Sequence, residues 1–308
     1  MTNYANAVFI LLNLFFLTAH AQKRTEVVLE KNWKFTREDQ PGFIAKDYND
    51  KKWQSVTVPH DWAIYGPFSA NNDKQQVAIA QDGQKEASEH AGRTGGLPFV
   101  GVGWYRTSFR LAEFNATKKA FIIFDGAMSN ATVYINGKKV GYWPYGYNTF
   151  HYDITAFLEP GKDNLLAVRL ENLPESSRWY PGAGLYRNVH ILVTEPTYIP
   201  IWGTQLSTPI VNKEFAKIKL ATKLKRDVSR NAAEFSLSTE IKDAQGKVVS
   251  VVRTALGKYD GEEFNQEFVV ENPELWDTEH PILYTAVSKL YAGNILSDEY
   301  TTTFGIRS

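Results

Sequence analysis

The chain has 308 residues, 43% of them hydrophobic and 22% charged, with a formal net charge of zero. That balance supports a packed core, and at roughly 100–200 residues per domain the length suggests two domains. It gives no bulk attraction for nucleic acid or an anionic membrane, so neither is expected as a partner. With no cysteine at all, disulfides, thiolate catalysis and Cys-based zinc sites are excluded.

At the start, Val8 to Leu17 forms an apolar run broken by Asn13, followed by Ala19-His20-Ala21 and then polar Gln22-Lys23-Arg24. The run is too short to span a bilayer as a helix, and Ala19 and Ala21 are the small residues a signal peptidase reads. Residues 1–21 are therefore expected to be a signal peptide, which places the mature protein in the periplasm or outside the cell. The alternative is a buried N-terminal helix.

After this segment the pattern is strand and turn. Ala120 to Phe124 and Ala131 to Ile135 are short β-prone runs, and Asn136-Gly137 marks a hairpin because both turn positions favour positive φ. Lys139 to Tyr142 starts the return strand. Asn164 to Leu170 follows the turn cluster Pro160-Gly161-Lys162-Asp163, and Asn188 to Thr194 reads as another strand. No segment keeps an apolar face at three-to-four spacing for three turns, so long helices are absent from the expectation. Residues 22–196 are read as a jelly-roll β-sandwich. The polar, glycine-bearing stretch Ser69 to Gly96 is read as an extended surface loop.

A second unit starts after Pro196 and Pro200. Strands are expected at Ile201 to Ser207, Phe215 to Leu224, Glu234 to Lys242, Val248 to Leu256, Phe264 to Val270, Leu283 to Tyr291 and Glu299 to Phe304. Asp243 to Lys247 reads as a hairpin loop. Such density of strands in residues 197–308 points to an immunoglobulin-like sandwich, which makes the whole chain all-β.

Three clusters carry candidate chemistry. In Pro59-His60-Asp61-Trp62, Pro59 forces an extended backbone on Val58, so His60, Asp61 and Trp62 sit on a rigid non-helical segment. A carboxylate beside an indole can take sugar hydroxyls on one side and a ring face on the other. Equally, Asp61 can cap local backbone amides. In Arg178-Trp179-Tyr180-Pro181-Gly182-Ala183-Gly184-Leu185-Tyr186-Arg187, glycines and a proline shape an aromatic loop that leads into a strand. Arg178 can donate to paired hydroxyls or to a carboxylate, or it can stack on Trp179. In the third cluster, Trp276, Leu283 and Tyr284 read as core or domain-contact residues. The eight Trp and sixteen Tyr fit sugars, whose apolar C–H faces and hydroxyl rims match an amphipathic ring, and they also fit an aromatic β core. The six histidines show no metal-ligand spacing on a helix, no Gly-x-Ser-x-Gly elbow occurs, and no glycine loop precedes a helix to cradle phosphate. No cofactor and no metal is expected.

Taken in order, Pro59-His60-Asp61-Trp62, Gly103-Trp104-Tyr105-Arg106, Asn136-Gly137-Lys138, Tyr152-Asp153-Ile154-Thr155, the Arg178 to Arg187 run, Asn272-Pro273-Glu274-Leu275-Trp276, Pro281-Ile282-Leu283-Tyr284 and Phe304-Gly305-Ile306-Arg307 resemble family 2 of the glycoside hydrolases, in the pattern of β-galactosidase-type members from Bacteroides-like bacteria. The resemblance spans nearly the whole mature chain. It implies a sugar-binding jelly roll, an immunoglobulin-like sandwich and then a catalytic (β/α)₈ barrel of roughly 250 residues as the partner domain. In that family the two glutamates of a retaining mechanism lie in the barrel, so no catalytic residue is assigned here. By position, the resemblance implies that Asp61 and Arg178 contact a β-glycoside substrate, with Trp179 and Tyr180 supporting that loop. A β-galactoside is the expected substrate, though β-glucuronidase and β-mannosidase members share the architecture. Front domains of the family also make subunit contacts, so a homo-oligomer is among the expectations. The rival reading is a standalone carbohydrate-binding or adhesion module, which predicts an exposed aromatic platform and sugar affinity of its own.

Overall fold

The computed structural model describes residues 24–72, 74–90, 101–173, 182–226, 234–257 and 262–307. Among these residues it is all-β, and every strand pairing is antiparallel. The first part of the chain supplies β1 (Thr25–Val28), β2 (Trp33–Thr36), β3 (Gln54–Val56), β4 (Gln75–Val77), β5 (Ser88–His90), β6 (Gly101–Phe109), β7 (Lys119–Phe124), β8 (Ala131–Ile135), β9 (Lys138–Trp143), β10 (Phe150–Asp153), β11 (Asn164–Asn172) and β12 (Val189–Thr194). The second supplies β13 (Thr204–Val211), β14 (Phe215–Lys223), β15 (Phe235–Lys242), β16 (Val248–Leu256), β17 (Glu263–Glu271), β18 (Tyr284–Ala292) and β19 (Ile295–Phe304).

The first sandwich pairs a four-stranded sheet, ordered β1-β12-β7-β10, with a six-stranded sheet ordered β3-β2-β6-β11-β8-β9. Alternate residues of both sheets meet in one core: Ile122, Phe124, Val189 and Ile191 from one face Val133, Ile135, Leu166 and Val168 from the other. The Asn136-Gly137 turn has φ of 50° and 80°, the left-handed pair that a two-residue hairpin needs, and β8 and β9 pair directly across it. The second sandwich packs β13-β14-β17 on β16-β15-β18-β19. In β17 the residues alternate strictly between exposed and buried, which turns Phe264, Gln266, Phe268 and Val270 inward. Gln266 is polar yet buried, and its amide donates to Leu237 O, Val252 O and Thr254 Oγ1.

One expectation needs correction. The stretch from Ser69 carries structure of its own: β4 and β5 form a small hairpin, with a 3₁₀ turn at Ala80–Asp82 between them. Of the residues expected in the core or at a domain contact, Tyr284 is buried and its hydroxyl accepts the Glu274 N–H, while Leu283 is exposed and so is not a core residue. Trp276 packs where Gly305 leaves room, under the Arg307 guanidinium.

The two sandwiches are clamped where the chain passes between them. Asp298 on β19 is fully buried and accepts from Arg24 Nε at 2.8 Å and from the Ile199 N–H at 2.8 Å. The Arg24 guanidinium also donates to Ile199 O and lies over the Tyr300 ring. No helix among the described residues is long and apolar enough to cross a membrane.

Candidate functional site

Topology gathers the candidate residues at one end of the first sandwich. β7, β9 and β11 finish there, and β6, β8, β10 and β12 begin there, as their antiparallel registers require. The connecting segments 60–66, 126–130, 144–149 and 182–188 therefore share one rim.

The Pro59-His60-Asp61-Trp62 segment is built as a strand-like edge. His60 N–H donates to Leu185 O and Trp62 N–H to Ala183 O, while Gly184 and Met128 exchange both backbone bonds on the other side. The 183–185 segment is thus held between two neighbours. Arg37 fixes the return of the chain by donating to Trp62 O and Gly66 O.

Asp61 is half-buried, and its Oδ1 accepts the N–H of Ala63 at 3.0 Å and of Ala183 at 3.1 Å. The backbone-capping role that the sequence left open is therefore observed, and it reaches beyond the local turn to a second loop. His60 Nδ1 lies 2.8 Å from the hydroxyl of fully buried Tyr105. Burial pushes the Tyr105 phenol well above its ordinary range, so it stays neutral, and the nearby Asp61 charge pushes in the same direction. Burial lowers the His60 imidazole, Arg37 adds to that, and Asp61 opposes it.

Trp62 does not offer a ring face to a ligand. It is 1% exposed, stacks on Phe35 and Tyr105, and fills the space over Gly103. The exposed ring of this segment is Tyr65, 72% exposed and stacked parallel on His60 at 6.1 Å. A groove of about 650 Å³ runs past these two rings, lined also by Trp33, Lys34, Gln54 and Val56. Among the described residues it touches the rim through His60 and Tyr65 alone and does not include Asp61. Arg178, Trp179 and Tyr180 lie outside the described residues. Among the described residues no cluster of His, Asp and Glu has the arrangement to hold a metal ion.

Sequence reasoning also missed a tyrosine group on the same rim. Tyr145 and Tyr147 face each other at 5.4 Å, and Tyr186 donates its hydroxyl to Gly146 O between them. Only the abundance of tyrosine signalled them, and abundance does not separate core rings from rim rings.

Comparison with known proteins identifies the family. The profile described as "Glycosyl hydrolases family 2, sugar binding domain" matches residues 27–196, and "Glycosyl hydrolases family 2" matches residues 199–307. The β-galactosidase BoGH2A of Bacteroides ovatus is 37% identical over 285 residues, which is 90% of this chain and 31% of that protein. A β-glucuronidase of Formosa agariphila is 27% identical over 311 residues, covering 94% of this chain and 30% of its own length. A solved glycosyl hydrolase family 2 member from Bacteroides cellulosilyticus superposes with a TM-score of 0.80 at 29% identity, over 92% of this chain and 35% of that one. The chain thus spans about a third of the length of these relatives, at their N-terminal, non-catalytic side. With both profiles matched in order and the sandwiches superposing on a solved member, the chain belongs to glycoside hydrolase family 2.

Proposed function

We propose that this chain is the substrate-contacting front part of an exported glycosidase that hydrolyses β-galactosides with retention, working against a catalytic barrel. The observation that carries this reading is the rim at the end of the first sandwich, where Asp61 is pinned by two backbone donors from separate loops. Held rigidly through Oδ1, Asp61 is oriented before substrate arrives, so little ordering cost falls on binding. Asp61 and Arg178 hydrogen-bond sugar hydroxyls at or near the cleaved bond, with Trp179 and Tyr180 supporting their loop. The galactoside assignment is supported by the 37% identity to a protein named a β-galactosidase, and residues 1–21 act as the export signal.

The test starts from the genomic DNA downstream of the Ser308 codon. The protein so encoded should release p-nitrophenol from its β-galactoside faster than from its β-glucuronide, and Asp61→Asn should cut kcat/KM by about tenfold or more, the scale of a lost hydrogen bond to a charged group. A preference for the glucuronide refutes the galactoside assignment. An unchanged kcat/KM in Asp61→Asn removes Asp61 from the substrate contacts.

A further inference from the structure

The segment 144–149 joins β9 in one sheet to β10 in the other, so it has to cross the end of the first sandwich. Its backbone is pinned at successive points. Pro144 O accepts the Asn130 N–H at 3.1 Å, Gly146 O accepts the Tyr186 hydroxyl at 2.9 Å, and the Thr149 hydroxyl donates to Asp125 O. Gly146 is buried against Met128, whose sulfur occupies the space a side chain would need. These contacts fix the crossing at Pro144, Gly146 and Thr149, and it holds Tyr145 out with 52% of its surface exposed.

Tyr145 is one of a group. Its ring meets Tyr147 at 5.4 Å with planes 58° apart. The Tyr186 hydroxyl joins them by donating to Gly146 O, the residue between Tyr145 and Tyr147, and burial raises its phenol while exposed Arg187 opposes that. The Arg187 guanidinium lies 5.4 Å over the Tyr186 ring. The face therefore combines apolar ring surface, phenol groups that donate and accept, and a guanidinium with several donors. A pyranose presents the matching pattern of an apolar C–H face with a rim of hydroxyls.

The position relative to Asp61 follows from the backbone. Asp61 holds Ala183, the next residue Gly184 pairs with Met128, and Met128 packs on Gly146. The tyrosine face lies beside the Asp61 segment on the same rim. We infer that Tyr145, Tyr147, Tyr186 and Arg187 form a second sugar subsite, which takes the next units of a β-linked oligosaccharide whose end sits near Asp61. This rests on the reading that the rim meets a glycoside. It makes the substrate an oligosaccharide chain, with the platform contributing affinity that a monosaccharide or small aryl glycoside cannot use.

The test uses the 308-residue chain with ¹³C-labelled tyrosine rings, assigned through single Tyr→Phe variants, and β-1,4-linked galactotetraose as the probe. NMR titration reads weak binding directly. The Tyr145 and Tyr147 rings should shift with the tetrasaccharide and stay in place with galactose. Tyr145→Ala should weaken the response of Tyr147 and Tyr186 about fivefold, the scale of one aromatic contact, with an unchanged thermal midpoint. Rings that do not respond to the tetrasaccharide, or that respond equally to galactose, overturn the inference, as does a Tyr145→Ala chain that binds like the wild type. Failure of the glycosidase reading shows elsewhere, as absence of hydrolysis by the longer encoded protein.

Discussion

The Asp61 carboxylate and the Ala183 N–H are 122 positions apart in sequence and joined by a 3.1 Å hydrogen bond. The same oxygen accepts the Ala63 N–H, and both alanines are buried. Removing the carboxylate strands two backbone donors away from water. Asp61→Ala should therefore destabilise the chain by about 1–3 kcal/mol in urea unfolding. Asp61→Asn keeps an acceptor oxygen and should lose less. An Asp61→Ala chain as stable as the wild type would show that these two bonds do not hold the rim together.

The clamp between the sandwiches gives a second prediction. Arg24 pairs with Asp298, which is 0% exposed, so truncating Arg24 leaves a buried carboxylate with only the Ile199 N–H among the partners named above. Breaking a buried pair from one side costs about 3 kcal/mol. Arg24→Ala should lower the melting temperature and broaden the calorimetric transition, because each sandwich has core clusters of its own and the Phe121–Tyr198 and His151–Trp202 ring contacts are then left to couple them. A transition of unchanged width at the wild-type temperature would show that the clamp does not couple them.

Much of this architecture is legible in the chain because β structure writes itself at short range. Val248–Leu256 is a strand with the bounds its composition suggests, and Asn136-Gly137 makes its turn through local dihedral preference alone. What fails to show is what depends on distant partners. Trp62 and Tyr65 are both aromatic and three residues apart, yet one is sealed under Phe35 and Tyr105 and the other projects into solvent. Their neighbours come from β2 and β6, and nothing in the local pattern announces which ring those strands will cover. Likewise Gln75–Val77 carries no apolar alternation, so the small hairpin it forms with Ser88–His90 has no periodic signal. The motif Pro59 to Trp62 marks the rim, but the tyrosines at 145, 147 and 186 become one face only through the strand order.

Two histidines contribute to the acid response. Burial lowers His60 and His151 below the ordinary value of 6.5, with Arg37 adding to the effect at His60 and Asp61 opposing it. Below pH 6.5 the unfolded chain takes up protons that the folded chain refuses until a lower pH. The unfolded state then binds more protons, so stability falls as pH falls, while above 6.5 the contribution is complete. The carboxylates act lower: hydrogen bonding to Arg169 holds Asp39 below 3.8, so its contribution is lost only as pH drops through that lower folded value. Urea unfolding should show declining stability just below pH 6.5, and the slope should flatten in a His60→Asn, His151→Asn double variant. An unaltered slope in the double variant would assign the acid response to other groups.

Gly184 is a rim position with no room for a side chain. Its φ of +117° disfavours any side chain, and a Cβ there would run into the Tyr105 hydroxyl and the carbonyl oxygen of His60. Both groups belong to the contact that orients His60 on Tyr105. Gly184→Ala should cost about 1–3 kcal/mol through overpacking and move the His60 ring resonances. Gly42→Ala is the control, because nothing lies within 4 Å of its added carbon, and it should stay within about 0.5 kcal/mol of the wild type. Equal stability of the two variants would mean that the 183–185 segment can shift away from Tyr105, and the rigid placement of Asp61 would fail with it.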